Sequence, residues 1–118
     1  MVEELGGVRV FVSDTRIAGE GDAVQVIVDA HYEHQASWVA FTPEQLGNEF
    51  FELRTGRAGA ITQKFVTYRM GLVMVGDIAA RVAESTSLAG WVRESNRGRN
   101  LWFVPDLTTL TSRLQDGQ

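Results

Sequence analysis

Cysteine is absent from this sequence of 118 residues, and lysine is nearly absent, because only Lys64 among the 11 basic residues is not an arginine. The lack of cysteine excludes disulfides, thiolate metal sites and cysteine nucleophiles, and it is compatible with a reducing compartment. The formal net charge of −4 provides no overall positive field to attract a phosphate backbone. We therefore expect no nucleic-acid partner.

Long hydrophobic runs are missing as well. No apolar segment approaches the roughly 20 residues that a membrane-spanning helix requires. The N-terminal segment, Met1 to Gly7, contains Glu3 and Glu4 and lacks the basic start and apolar core of a signal peptide. We expect a cytoplasmic protein that has no membrane partner.

Four short apolar segments predict the strands of a sheet. Helical patterns separate these segments, and apolar strands that alternate with helices are typical of a parallel sheet covered by helices. The segments are Val8–Val12, Trp38–Phe41, Leu72–Val75 and Leu101–Val104. We predict a single small α/β domain over residues 1–118, with a four-stranded, mostly parallel sheet flanked by helices and with the third strand in its interior.

The segments between the strands have the apolar spacing of amphipathic helices. Asp77 and Asp106 are placed to cap the helices that follow the third and fourth strands. We expect the tail, Gln115 to Gln118, to fray. The predicted helices cover Asp22 to His34, a short turn after Thr42-Pro43, Thr55 to Tyr68, two pieces within Ile78 to Glu94 that separate at Ser85–Ser87, and a last helix through Leu114.

Aspartates follow the predicted strands, at the edge where parallel sheets bind ligands. Asp14, Asp77 and Asp106 could together hold Mg²⁺, but turn formation and helix capping are the favoured interpretations. His31 and His34 lie one helical turn apart, and no further histidine or cysteine exists to complete a metal site. Since no glycine-rich nucleotide loop or nucleophile motif is present either, we predict no catalytic residue, no cofactor and no metal.

Two arginines flank the start of the second long predicted helix, in the segment Arg54-Thr55-Gly56-Arg57. The free N–H groups of a helix N-terminus favour anions, and guanidinium groups add donors. These four residues are therefore a candidate site for a partner's carboxylate or for a small anion. The alternative is structural, with Thr55 as the helix cap and with small residues that let the helix lie close to the sheet.

Two stretches are distinctive: Phe50 to Asp77, FFELRTGRAGAITQKFVTYRMGLVMVGD, and Glu94 to Asp106, ESNRGRNLWFVPD. They resemble one bacterial family, catalogued as domain of unknown function 4180. That family is similar, more remotely, to STAS domains, the fold of anti-sigma-factor antagonists and of the cytoplasmic tails of sulfate transporters. The resemblance implies a STAS-like fold.

The same resemblance implies a role for Thr55. The antagonists begin a helix with Asp-Ser-Ser-Gly and are phosphorylated on the serine before the glycine. Thr55 precedes Gly56 at that position, which makes it a candidate phosphoacceptor. Leu53 and Arg54 stand where those domains have the aspartate and the first serine.

These observations support two functional hypotheses. The first is a non-enzymatic regulatory or protein-interaction module that uses the surface around Thr55. The alternative is a small anionic-ligand binding protein or enzyme, in which Arg54 and Arg57 hold the ligand and Asp14 or Asp77 supplies acid or base chemistry. Because no nucleophile and base pair can be assembled from the motifs, we favour the first and expect no hydrolase, transferase or redox turnover.

Overall fold

The structure, a computed structural model, describes residues 1–116 and is built around a five-stranded sheet. The strands follow one another across the sheet in chain order, and β2 to β5 are parallel. The predicted α/β class and the four parallel strands are thus confirmed, with the third predicted strand, β4, in the interior. The strands are β1 Val2–Leu5, β2 Val8–Val12, β3 Trp38–Phe41, β4 Gly71–Val75 and β5 Leu101–Val104.

The first strand is an addition to the predicted sheet. It pairs antiparallel with β2, so that Leu5 lies opposite Val8. Gly6 and Gly7 connect the two strands with φ angles of 59° and 82°. Two consecutive positive φ values match the turn that suits a two-residue hairpin, and glycine adopts them without strain.

The helices follow the predicted order with shifted ends. The break near Ser85 is confirmed, because Ser85 Oγ accepts a hydrogen bond from Leu88 N at 3.1 Å and caps the second piece. Asp106 Oδ1 likewise accepts from Thr109 N at 2.8 Å, and hydrogen bonds from Thr109 hold the Asp106 pKa below its ordinary value. The helices are α1 Glu20–Val28, α2 Pro43–Leu46, α3 Asn48–Phe51, α4 Arg57–Thr67, α5 Ala79–Glu84, α6 Thr86–Arg97 and α7 Leu107–Asp116.

The helices nearest the two ends of the chain depart from their predicted bounds. The first helix starts at Glu20 rather than Asp22, whose Oδ2 instead accepts a hydrogen bond from Ala18 N at 2.9 Å, and it continues as a π-helical turn over Asp29–Glu33. The predicted frayed tail is helical at Gln115 and Asp116, and residues 117–118 lie outside the described residues.

The helices that connect the parallel strands lie on one face of the sheet. Crossover connections between parallel strands share one hand, so connections between strands in consecutive order fall on the same side. Ile27 of α1, Ile61 of α4 and Leu88 of α6 pack there in one core cluster. The opposite face is covered by α7, which contributes Leu110 and Leu114 to a second cluster.

Two tryptophans stack on the face that α7 covers. The ring centroids of Trp38 on β3 and Trp102 on β5 are 4.2 Å apart, although β4 runs between their strands. They meet because Gly71 of β4 lies opposite Trp38 and has no side chain; a Cβ atom there would lie 2.3 Å from Trp38 Cδ2. The Arg113 guanidinium of α7 lies 4.1 Å from the Trp102 ring centroid, so the stack joins three strands and a helix.

We predict that Gly71→Ala lowers the free energy of unfolding by about 1 to 3 kcal/mol, because the added methyl group displaces the Trp38 indole. The measurement is urea unfolding followed by far-UV circular dichroism. Gly59→Ala is the matched control, since Gly59 lies within α4 with open space beside it and should gain up to about 1 kcal/mol. A Gly71→Ala protein as stable as the wild type would contradict tight packing of the indole on this glycine.

Candidate functional site

Thr55 lies in a single 3₁₀ turn, Leu53–Thr55, between α3 and α4. Its Oγ1 is within hydrogen-bond distance of the carbonyls of Glu49 and Glu52, at 2.9 and 2.8 Å, and accepts from Arg57 N at 3.2 Å. The expectation that Thr55 is the N-cap of the long helix is wrong by one residue. Gly56 occupies that position with a φ of 76°, a left-handed conformation that suits glycine.

The two arginines of the predicted site do not converge. Arg57 Nη2 lies 3.2 Å from Glu49 Oε2 and faces a small groove of about 300 Å³ that Arg16 also lines. Arg54 faces a different and larger groove on the other side of the turn. The left-handed residue Gly56 between them changes the direction of the chain, so neighbours in sequence face different surfaces.

The larger groove, here the Arg54 groove, encloses about 700 Å³ between α3 with its 3₁₀ turn and the junction of α5 and α6. Arg81 of α5 forms part of its wall. Its Nη1 donates to Asn48 Oδ1 at 3.1 Å, and its guanidinium lies 4.5 Å from the Phe51 ring centroid. The lining residues are Asn48, Phe51, Glu52, Leu53, Arg54, Arg81, Glu84, Ser85, Ser87 and Leu88.

The charges of the Arg54 groove are balanced. Arg54 and Arg81 provide two positive charges, and Glu52 and Glu84 provide two negative ones. Within residues 1–116, none of these four side chains takes part in an ion pair. Sequence reasoning identified Arg54 and the break at Ser85–Ser87 but missed Arg81. No local sequence pattern indicates that α5 packs next to the turn that contains Arg54.

The two aspartates of the alternative ligand edge lie apart from this groove. Asp77 Oδ1 accepts a hydrogen bond from Ala79 N at 2.9 Å, so its carboxylate satisfies the first N–H group of α5. Asp14 is exposed in the loop after β2 and lines neither groove. In the described part of the chain, no group of three histidine, aspartate or glutamate side chains could hold a metal ion.

Phosphorylation of Thr55 would change the turn that it stabilises. A phosphate ester has no hydroxyl proton, so the hydrogen bond that this one proton donates towards the carbonyls of Glu49 and Glu52 would be lost. The added negative charge would also lie close to those carbonyl oxygens. Thr55 as a phosphoacceptor stays a prediction, and its expected effect is to loosen the turn between α3 and α4.

Comparison with known proteins identifies one family. The family model described as "Domain of unknown function (DUF4180)" matches residues 7–114, which contain both stretches on which the resemblance rests. No curated protein and no solved structure matches the chain. The remote similarity to STAS domains stays a prediction. Among the helices described, none is long and apolar enough to cross a membrane.

We predict that Thr55→Val lowers the free energy of unfolding by about 0.5 to 1.5 kcal/mol, because valine keeps the shape of the side chain but cannot form its hydrogen bonds. Thr55→Ser should unfold like the wild type, since serine keeps the hydroxyl. Urea unfolding of the three proteins measures the difference. Equal stability of the valine and serine variants would show that the hydroxyl does not stabilise the turn.

Proposed function

This chain belongs to the DUF4180 family, and we propose that it is a non-enzymatic, regulatory protein-interaction module that docks a charged segment of a partner protein in the Arg54 groove. The single observation that carries the proposal is the set of four charged side chains that line this groove without ion pairs among the described residues. Complementary charges on a partner set orientation and specificity at an interface.

The balance of charge favours a peptide segment over a free anion. A phosphate or small carboxylate would be attracted by Arg54 and Arg81 but repelled by Glu52 and Glu84. A segment that has both acidic and basic side chains would match both pairs at once. The groove also has an apolar base, since the Phe51 side chain is buried there, so an apolar side chain of the segment would find a contact surface.

The geometry gives less support to the small-ligand alternative. That hypothesis needs Arg54 and Arg57 on one ligand, whereas the two face different grooves and Arg57 is held by Glu49. It also needs Asp14 or Asp77 at the same place, and neither lines the Arg54 groove. The hydroxyl of Ser85, which does line it, accepts the hydrogen bond that caps α6.

Affinity capture from a native lysate with the purified chain as bait tests the proposal. We predict that Arg54→Ala weakens the captured complex at least about tenfold, equivalent to 1.4 kcal/mol of binding free energy, because it removes one charged contact. The melting temperature should be nearly unchanged, since Arg54 is exposed and forms no ion pair in the described part of the chain.

Arg57→Ala is the matched control. It removes an arginine from the same segment, but from the neighbouring groove, and should cost only about 0.2 to 1 kcal/mol of stability through the exposed pair with Glu49. It should leave capture intact. Amide NMR shifts on binding should map to the Arg54 groove; shifts confined to other surfaces, or equal weakening by both variants, would refute the proposal.

A further inference from the structure

A further groove lies at the amino-terminal edge of the parallel sheet, at the opposite end of the strands from the Arg54 groove. It encloses about 630 Å³ between the π-helical turn after α1 and the end of α4. We refer to it as the Tyr68 groove. Its lining includes His31, Tyr32, Gln35, Tyr68 and Arg69.

Large side chains with apolar rings are exposed at the Tyr68 groove. Tyr32 is 73% exposed and Tyr68 is 51% exposed. Among the described residues, the other exposed large hydrophobic residues are Met1 and Val66, and Val66, which is 38% exposed, lies two positions before Tyr68. Tyrosine is enriched at the centres of protein interfaces, where its ring provides contact area. Rings this exposed do not enclose a small molecule, but they can meet the surface of a partner.

Two residues of the groove have left-handed backbone conformations. The φ angles of Gln35 and Arg69 are 51° and 57°, and no other non-glycine residue in the described range has a positive φ. Arg69 follows the end of α4, where Met70 N donates to the carbonyl of Phe65 at 2.9 Å. Glycine is the usual residue at this position after a helix, because it adopts the conformation without strain.

The side chain of Arg69 has no visible task in the fold. Gln35 has one, since its Nε2 donates to the carbonyl of Tyr32 at 3.1 Å. In contrast, the Arg69 guanidinium forms no hydrogen bond or ion pair within residues 1–116. The sequence therefore has an arginine at a position where glycine would adopt the left-handed backbone with less strain, and the side chain of this arginine is available to a partner.

The Tyr68 groove is also locally positive. Arg69 lines it, and among the described residues no carboxylate does, in a chain whose formal net charge is −4. Glu33, which follows Tyr32 in the π-helical turn, is exposed and is not among the residues that line the groove. Complementary charge therefore selects an acidic occupant.

We propose that the Tyr68 groove docks an acidic segment of a partner protein, with an apolar side chain of that segment against Tyr32 and Tyr68 and one of its carboxylates on Arg69. This surface is separate from the Arg54 groove. Together with the function proposed for the Arg54 groove, it gives the module two docking surfaces at opposite ends of its sheet.

The test is a titration of the isotope-labelled chain followed by amide NMR. The probes are three capped hexapeptides: Glu-Asp-Leu-Phe-Glu-Asp, its neutral amide counterpart Gln-Asn-Leu-Phe-Gln-Asn, and the basic Lys-Lys-Leu-Phe-Lys-Lys. The acidic peptide should shift the amides of residues 31–37 and 66–70, and the other two should shift them at least about tenfold more weakly. Inorganic phosphate and a single-stranded oligothymidylate test whether the groove instead binds a free anion or a nucleic acid.

Arg69→Gly distinguishes docking from folding. Glycine relieves the left-handed backbone, so the melting temperature should stay the same or rise while the affinity for the acidic peptide falls at least about tenfold. Arg54→Ala should bind this peptide like the wild type, so the result is independent of the function proposed for the Arg54 groove.

Several outcomes would overturn the proposal. These are the absence of shifts in the Tyr68 groove at about 5 mM acidic peptide, undiminished binding by Arg69→Gly, and tighter binding of phosphate or oligothymidylate than of the peptide. Shifts that depend on protein concentration and not on peptide would identify a second copy of the chain as the occupant, which would also overturn it.

Discussion

The arrangement of the sheet depends on the contact between Trp38 and Trp102 above Gly71. Neighbouring strands are about 4.8 Å apart, so side chains on β3 and β5 are normally separated by those of β4. The missing side chain at Gly71 lets the two indoles meet. The Arg113 guanidinium lies over the Trp102 indole, and Arg113 Nη2 donates to the carbonyl of Asn96. The register of three strands and the position of α7 therefore depend on one glycine.

This arrangement determines which surfaces of the molecule stay accessible. One face of the sheet is covered by α1 to α6 and the other by α7. The edge at β5 is closed by Asn96, whose Oδ1 accepts a hydrogen bond from Phe103 N at 2.7 Å. The edge at β1 carries Glu3 and Glu4, and charged side chains discourage pairing with another strand. The two ends of the parallel strands remain accessible, and the Arg54 and Tyr68 grooves lie there.

The parts of the molecule that sequence predicts are those that local pattern encodes. The four parallel strands are short apolar runs, so each could be identified alone. In contrast, β1 was not predicted, because Glu3 and Glu4 interrupt its apolar pattern, although Gly6-Gly7 is a recognisable hairpin turn. The candidate site required tertiary information. Arg54 and Arg57 are close in sequence but face different grooves. The second arginine of the Arg54 groove, Arg81, lies on α5.

Backbone hydrogen bonds at the start of β4 help to hold the strained backbone at the Tyr68 groove. Arg69 has the left-handed backbone, and Met70 and then Gly71 follow it in the chain. The N–H group of Gly71 donates to the carbonyl of Ser37 at 2.9 Å. Ser37 precedes Trp38, so the start of both strands is fixed where the indole packs on the glycine. A non-glycine residue keeps a left-handed backbone only when its surroundings hold it there. The hydrogen bond between Gly71 and Ser37 thus anchors the backbone that follows Arg69, at the edge of the sheet where the Arg69 side chain is exposed.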